Sequence, residues 1–325
     1  MTFIGLYLRM LRYRVAAMVW MFMLLGASFR AKPVFDLGYL WATALLASSY
    51  VAATSLNDVA DRDIDAVNHP SDRGRPLVTG EATPAQLRSL WGWAAAATIG
   101  CGALLGPVAL GLALLSLSIG YTYSLPPIRL SYRTYLAPVV LSVAYVLVPY
   151  GLGMVVAQRE LIPADGLFAG ALFALFFARI NLKDFRDRQG DARYGRPTLL
   201  LRFGKAITCT ISGVALGIGN LLLLLALRPF WAEAVVLELY LGALAVLLIV
   251  LYREEDPTAE QVVIGIGARA GNGLLISVLA LNILTGHGAL TAERLAFLVL
   301  LALVVGIGLA TLLFNRSEVV IGYKG

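Results

Sequence analysis

Apolar runs close to the twenty residues that a helix needs to cross a bilayer recur along the whole chain. They fall near residues 15–30, 36–56, 86–106, 108–124, 136–157, 166–181, 205–227, 231–252, 261–285 and 293–314. Pro107, the Arg228-Pro229 pair and the glycine-rich stretch at 286–288 punctuate them where turns are expected. With 59% hydrophobic and only 14% charged residues, and a mean hydropathy of +0.79, the chain is too apolar for a soluble domain. The pattern predicts an all-α fold, a polytopic membrane bundle of nine or ten transmembrane helices. Arg9, Arg12 and Arg14 before the first run give the look of a signal peptide, but the runs that follow favour a retained first helix.

Positive charge selects an orientation. With the N-terminus inside, nineteen of the 26 Lys and Arg residues fall on inner loops and tails and five on outer loops. The N-terminus and the charged clusters are therefore expected on the cytoplasmic side. The net charge of +6 is read as this topology signal and not as nucleic-acid binding. Cys101 and Cys209 both lie in apolar runs, and two histidines are too few for a His-based metal centre.

Two acidic clusters interrupt this background. NDVADRDID (57–65) puts four carboxylates at the end of an apolar run, and KDFRDRQGD (183–191) matches it in register. Asp58, Asp61 and Asp65 fall on Asp184, Asp187 and Asp191, and Arg62 on Arg188, at an offset of 126; Gly74-Arg75-Pro76 recurs as Gly195-Arg196-Pro197 at 121. Two repeated halves, about 10–130 and 131–255, with further C-terminal helices over 256–325 of a single domain, account for this economically. In each half the acids are spaced to share one stripe of a helix, with Asn57 joining the first through Asp61. Such acids repel unless a cation lies between them. Two carboxylate stripes suit Mg2+, which takes a few carboxylates plus phosphate oxygens. Lys183, Arg186, Arg188, Arg193, Arg196, Arg73 and Arg75 stand beside the acids, as a diphosphate bridged by Mg2+ would require. A solvated loop edge could explain one cluster; matching register in two argues against it.

These motifs resemble the UbiA family of intramembrane prenyltransferases. Asn57, Asp58, Asp61 and Asp65 match its N-D-x-x-D-x-x-x-D motif, and Lys183, Asp184, Asp187 and Asp191 match its second acidic motif. YTYSLPPIRL (121–130) is similar to the loop form of chlorophyll synthase-like and homogentisate prenyltransferase-like members. The resemblance covers about residues 10 to 255 and implies that Asn57 and the six motif aspartates hold Mg2+ against the diphosphate of an allylic polyprenyl donor. It also implies diphosphate contacts from Lys183 and Arg129, and a prenyl chain lying in a lipid-facing groove. Arg62, Arg188, Arg75 and Arg196 join the diphosphate-binding set through the clusters they flank. The family usually has nine helices and often an Arg-Pro pair in the first, where this chain has Arg12-Tyr13-Arg14.

The expected chemistry is ionisation of the allylic diphosphate, helped by Mg2+ and by cations on the leaving oxygens, then attack on C1 by a carbon or oxygen of a hydrophobic acceptor. Asp61, Asp65, Asp187, Asp191 and Tyr123 are the expected catalytic residues; an acidic or tyrosine oxygen takes the released proton, and Tyr121 and Tyr123 could face the cation. A terpene cyclase would use the same site without an acceptor, and a secondary transporter would also carry repeats. No residue selects among aromatic acids, quinone precursors, chlorophyllide-like rings and lipids as acceptor. For Arg269 and Asn272 in GARAGNG, both a functional and a packing role stand; for Arg179 and Asn181, near the end of the sixth run, a functional role stands beside snorkelling of the arginine to the interface. The REED run at 253–256 reads as solvated, and His69 reads as a loop bystander.

Overall fold

The computed structural model describes residues 2–31, 36–72, 74–282 and 299, and among them the only regular structure is helical. Helix α1 (Phe3–Met10) bends by 63° into α2 (Tyr13–Ser28) at Arg12, whose backbone is left-handed. Helix α3 (Leu37–Ala60) leads into α4 (Arg62–Asn68), and a loop carries the chain to α5 (Pro84–Leu105) and α6 (Pro107–Ser124). Thr83 and Gln86 close a reciprocal cap on α5, with Pro84 in its first turn; Gly106 at φ 106° makes the sharp turn to Pro107. Helix α7 (Leu136–Ser142) continues through a π-helical turn into α8 (Val148–Val156) as one span. Helices α9 (Pro163–Ile180), α10 (Lys183–Arg193), α11 (Leu199–Leu227), α12 (Trp231–Arg253) and α13 (Pro257–Ala280) complete the described fold.

Six described helices are long and apolar enough to span a bilayer, or seven if α1 and α2 count as one bent span. That is fewer than the nine or ten expected from the runs. Helices α3 and α5, of 24 and 22 residues, have the length but are less apolar, because Ser48, Ser49, Thr54 and Asn57 dilute α3 and Gln86 and Arg88 dilute α5. Of the run at 293–314 only residue 299 is among the described residues.

Packing places the acid-bearing ends together. Helix α3 lies along α5, α9 along α11, α2 along α8, and the two short acidic helices α4 and α10 pack on each other. The main apolar core is built from Phe22, Leu25, Phe168, Phe176, Leu223 and Leu274. At the end away from the acids, α2 and α8 approach through glycine. A Cβ on Gly26 would lie 2.1 Å from the Tyr150 carbonyl oxygen, and one on Gly153 would lie 1.9 Å from that of Met23. Beyond them Phe29 stacks on Phe168 at 4.3 Å, and Arg159 joins the Gly26 carbonyl (2.7 Å) to Asp165 and Tyr150.

Candidate active site

Backbone hydrogen bonds carry the first acidic motif through a helix break. Asp61 closes α3 and opens α4 with φ −106°, so the three aspartates do not share one unbroken helix as the spacing predicts. Even so, Asp61 N–H bonds Asn57 O (2.8 Å), Asp65 N–H bonds Asp61 O (2.8 Å) and His69 N–H bonds Asp65 O (2.7 Å). Four-residue steps thus keep Asn57, Asp61, Asp65 and His69 in one row, as helical periodicity requires. The second motif stays on a single helix, with Asp184, Asp187 and Asp191 all in α10.

Gly190 sets how close the two acidic helices come. Its N–H donates to Asn68 Oδ1 at 2.6 Å, and a Cβ there would lie 2.6 Å from both Asn68 Nδ2 and the Ile64 carbonyl oxygen. Across the same contact His69 Nε2 lies 2.9 Å from Asp187 Oδ1. His69 is therefore no bystander. Its place four residues past Asp65, continuing the acidic row, was the signal for it.

Guanidinium groups interleave with the carboxylates. Arg12, turned inward by the bend before α2, donates to Asp58 Oδ1 and Oδ2 at 2.8 and 2.7 Å. Arg75 pairs with Asp65 and reaches Asp58 at 3.8 Å. Arg196 bonds Asp61 Oδ2 and Asp191 Oδ1, the latter at 3.3 Å. The arginine of each Gly-Arg-Pro thus pairs with the last aspartate of its own motif. Arg129 Nη2 stands 3.7 Å from Asp61 Oδ1, and Lys183 Nζ donates to Tyr123 Oη at 3.1 Å. Burial, with the neighbouring acids adding to it, pushes Asp65 and Asp184 up to about 7 and Asp191 to about 6. Burial also acts on Asp187, but Arg186 and His69 outweigh it and hold that carboxyl below the usual range.

Most of these groups line one end of a cavity of about 780 Å³. Asp61, Asp65, His69, Arg75, Lys183 and Asp187 line its polar end; Phe22, Leu172, Phe176, Leu216, Leu244 and Leu274 line its apolar interior. Asn57, Arg12, Tyr123 and Arg196 also face it. Asp184 and Asp191 instead line a small recess beside it, with Lys183, Tyr123 and Arg196, while Asp58 is buried behind Arg12. Three residues expected at the diphosphate do not line the cavity, and of these Arg129 stands near it only through Asp61, 3.7 Å away. Arg62 is exposed and Arg188 donates to Glu260 at 2.8 Å, neither lining the cavity. Each follows the central aspartate of its motif by one residue, which turns it about 100° round the helix. Tyr121 is also outside, 47% exposed and 6.4 Å from Trp91. Arg179 and Asn272 prove to be partners, Arg179 Nη1 donating to Asn272 Oδ1 at 2.8 Å, with Arg179 on the cavity wall. Arg73 lies outside the described residues.

As placed, no three His, Cys, Asp or Glu side chains among the described residues form a group that could hold a metal ion, because the arginines stand between them. The donors nevertheless fit a hard cation in kind. They are oxygens throughout, and Asp61 Oδ1 is buried with no hydrogen-bond partner. Buried Nε groups of Arg129 and Arg196 likewise have no acceptor, which fits an anion beside it.

The model of the UbiA prenyltransferase family matches residues 19–272. The chain belongs to the UbiA prenyltransferase family. It is 29% identical over 221 residues to the bacteriochlorophyll synthase 33 kDa chain of Rhodobacter capsulatus, covering 64% of this chain and 69% of that one. It is 33% identical over 191 residues to homogentisate phytyltransferase of a Synechocystis strain, covering 55% and 59%. The chain thus spans less than two thirds of that second relative's length. Among solved structures, a UbiA homolog from Archaeoglobus fulgidus bound to DMAPP and Mg2+ superimposes with a TM-score of 0.63 at 18% identity, covering 83% of this chain and 99% of the other. That likeness fixes the fold of this UbiA member as the helical membrane bundle.

Proposed function

We propose that this UbiA protein transfers an isoprenoid chain from an allylic polyprenyl diphosphate to a hydrophobic acceptor and releases diphosphate. The observation that carries the reading is the cavity itself, a single chamber whose polar end holds facing acids and bases and whose interior is hydrocarbon. A diphosphate ester of a prenyl alcohol has that same division of chemistry.

Asn57, Asp61, Asp65 and Asp187 at the polar end, with Asp58, Asp184 and Asp191 behind them, are the residues that would hold Mg2+. Bound there, Mg2+ supplies neutralisation of the charge that develops on the diphosphate oxygens. Lys183, Arg196 and Arg75 on the cavity wall, with Arg129 behind Asp61, supply N–H donors to the same anion, and the Tyr123 hydroxyl holds Lys183 toward it. The donor C1–O bond breaks with its electron pair leaving on diphosphate. C1 then bonds an electron-rich carbon or oxygen of the acceptor, whose proton passes to a carboxylate or tyrosine oxygen at the polar end. The apolar walls keep water from the allylic cation. We also read the chain as two repeated halves with both acidic helices on the cytoplasmic side. The like pairing of Arg75 with Asp65 and Arg196 with Asp191 supports the repeat.

The purified protein should bind geranyl diphosphate far more tightly with Mg2+ than with EDTA, and should release pyrophosphate only when an acceptor is added. Release without acceptor, with a hydrocarbon or terpene alcohol as product, would mean cyclisation. Binding that ignores Mg2+ would remove the basis of the reading. Mass spectrometry of membrane lipids with and without the protein would name the acceptor.

A further inference from the structure

We propose that Tyr132 is a positioning residue for the leaving diphosphate, its ring face holding the guanidinium group of Arg129, behind Asp61, together with that of Arg196 on the chamber wall. The inference rests on the donor site proposed above. Arg129 takes a left-handed backbone, φ 41° and ψ 64°, and the single 3-10 turn Leu130–Tyr132 follows it directly. This turn brings the aromatic ring back under the arginine that precedes it. The Arg129 guanidinium carbon lies 4.0 Å from the Tyr132 ring centroid, and that of Arg196 lies 5.5 Å from the same centroid. Both are within the reach of a cation–π contact.

One ring therefore serves two cations that converge on one carboxylate, Asp61. Two guanidinium groups repel each other, and an aromatic face of negative potential offsets that repulsion without consuming a single N–H donor. A carboxylate in place of the ring would take up those donors. The Nε groups of Arg129 and Arg196 are both buried without an acceptor, so neither is taken up by a carboxylate. The loop is also tied to the far motif, since Thr134 Oγ1 donates to the Pro197 carbonyl at 2.5 Å, next to Arg196 in sequence. Tyr132 thus couples the loop after α6 to the second Gly-Arg-Pro, and through them fixes how far apart the two guanidinium groups stand.

The test compares side chains at position 132 in the full-length protein in lipid nanodiscs. Two affinities are measured in Mg2+, for geranyl diphosphate and for pyrophosphate, with steady-state KM and kcat for the donor. Tyr132→Leu should weaken both affinities about five- to tenfold and raise the donor KM by the same factor, with kcat changed less. Tyr132→Phe, which keeps the ring, should stay within twofold of wild type. A ring series that preserves shape, phenylalanine and then its mono-, di- and trifluorinated forms, should lose affinity stepwise as the face becomes less negative, which a packing role would not produce. Equal affinities across that series, or a Phe variant as weak as the Leu variant, would overturn the proposal. If Tyr132→Leu does not fold, the fluorinated series alone decides. Wild-type protein that shows no Mg2+-dependent binding would refute the donor site itself, whereas wild-type binding with a flat series refutes only the role of Tyr132.

Discussion

Replacing Gly190 by alanine should disable the site while leaving most of the bundle intact. The added Cβ would lie 2.6 Å from the Ile64 carbonyl oxygen and from Asn68 Nδ2, and 2.8 Å from Asn68 Cγ. Carbon contacts are comfortable only near 3.5 Å or more, so α4 and α10 must part by roughly 1 Å. The 2.6 Å bond from Gly190 N–H to Asn68 would stretch or break with them. Overpacking costs about 1–3 kcal/mol and the lost hydrogen bond about 1 kcal/mol, a burden that a bundle held by its other helix pairs can carry. Catalysis is less tolerant, because a misplacement of about 1 Å between groups that act together costs roughly 100-fold in rate. Pyrophosphate release by Gly190→Ala should therefore fall about 100-fold, while thermal unfolding in detergent shifts by only a few degrees. Gly92→Ala, whose Cβ meets nothing within 4 Å, is the matched control and should leave the rate unchanged. A Gly190→Ala rate within threefold of wild type would refute the argument that this contact sets the spacing of the acids.

Asp61→Ala or Asp187→Ala should abolish product formation with the protein still folded and inserted; a rate within a few fold of wild type in either would remove these residues from the site. His69→Ala should lower the rate about tenfold through the loss of its 2.9 Å partner contact to Asp187, and an unchanged pyrophosphate release would return His69 to the loop. Gly153→Ala should cost about 3 kcal/mol or more, since its Cβ would meet backbone at 1.9 Å, and a native-like unfolding temperature would contradict that packing. Single cysteines at positions 72 and 193 should both be labelled by a reagent applied from the cytoplasmic side and protected from one applied outside; the reverse pattern would refute the charge-based orientation.

The acids were legible because their chemistry is local. Asp58, Asp61 and Asp65, and Asp184, Asp187 and Asp191, sit at helical spacings, and the helices that carry them do meet. His69 was equally legible as the next four-residue step. Proximity to the clusters draws in Arg62 and Arg188, although the same periodicity that groups the acids turns both away. Other groups needed the tertiary structure. Arg12 reaches Asp58 only because the chain bends at that residue, and Tyr132 meets Arg196 only because a loop folds back across the second motif. The contact at Gly190 depends on two backbones separated by more than a hundred positions, which no local pattern records.

The glycine contacts between α2 and α8 close that helix pair at the end away from the acids. Backbone meets backbone at Gly26 and Gly153, and the stacked rings of Phe29 and Phe168 with the Arg159–Asp165 pair lie beyond, so among the described residues no hydrocarbon tail can thread out between α2 and α8. A tail too long for the chamber would then leave sideways, between other helices and into the surrounding acyl chains. On the proposed reading, donor, acceptor and product then trade places within the plane of the membrane. The concentration that governs turnover is accordingly the mole fraction of donor and acceptor in the bilayer, and diluting the vesicles in buffer should leave the rate per protein molecule unchanged.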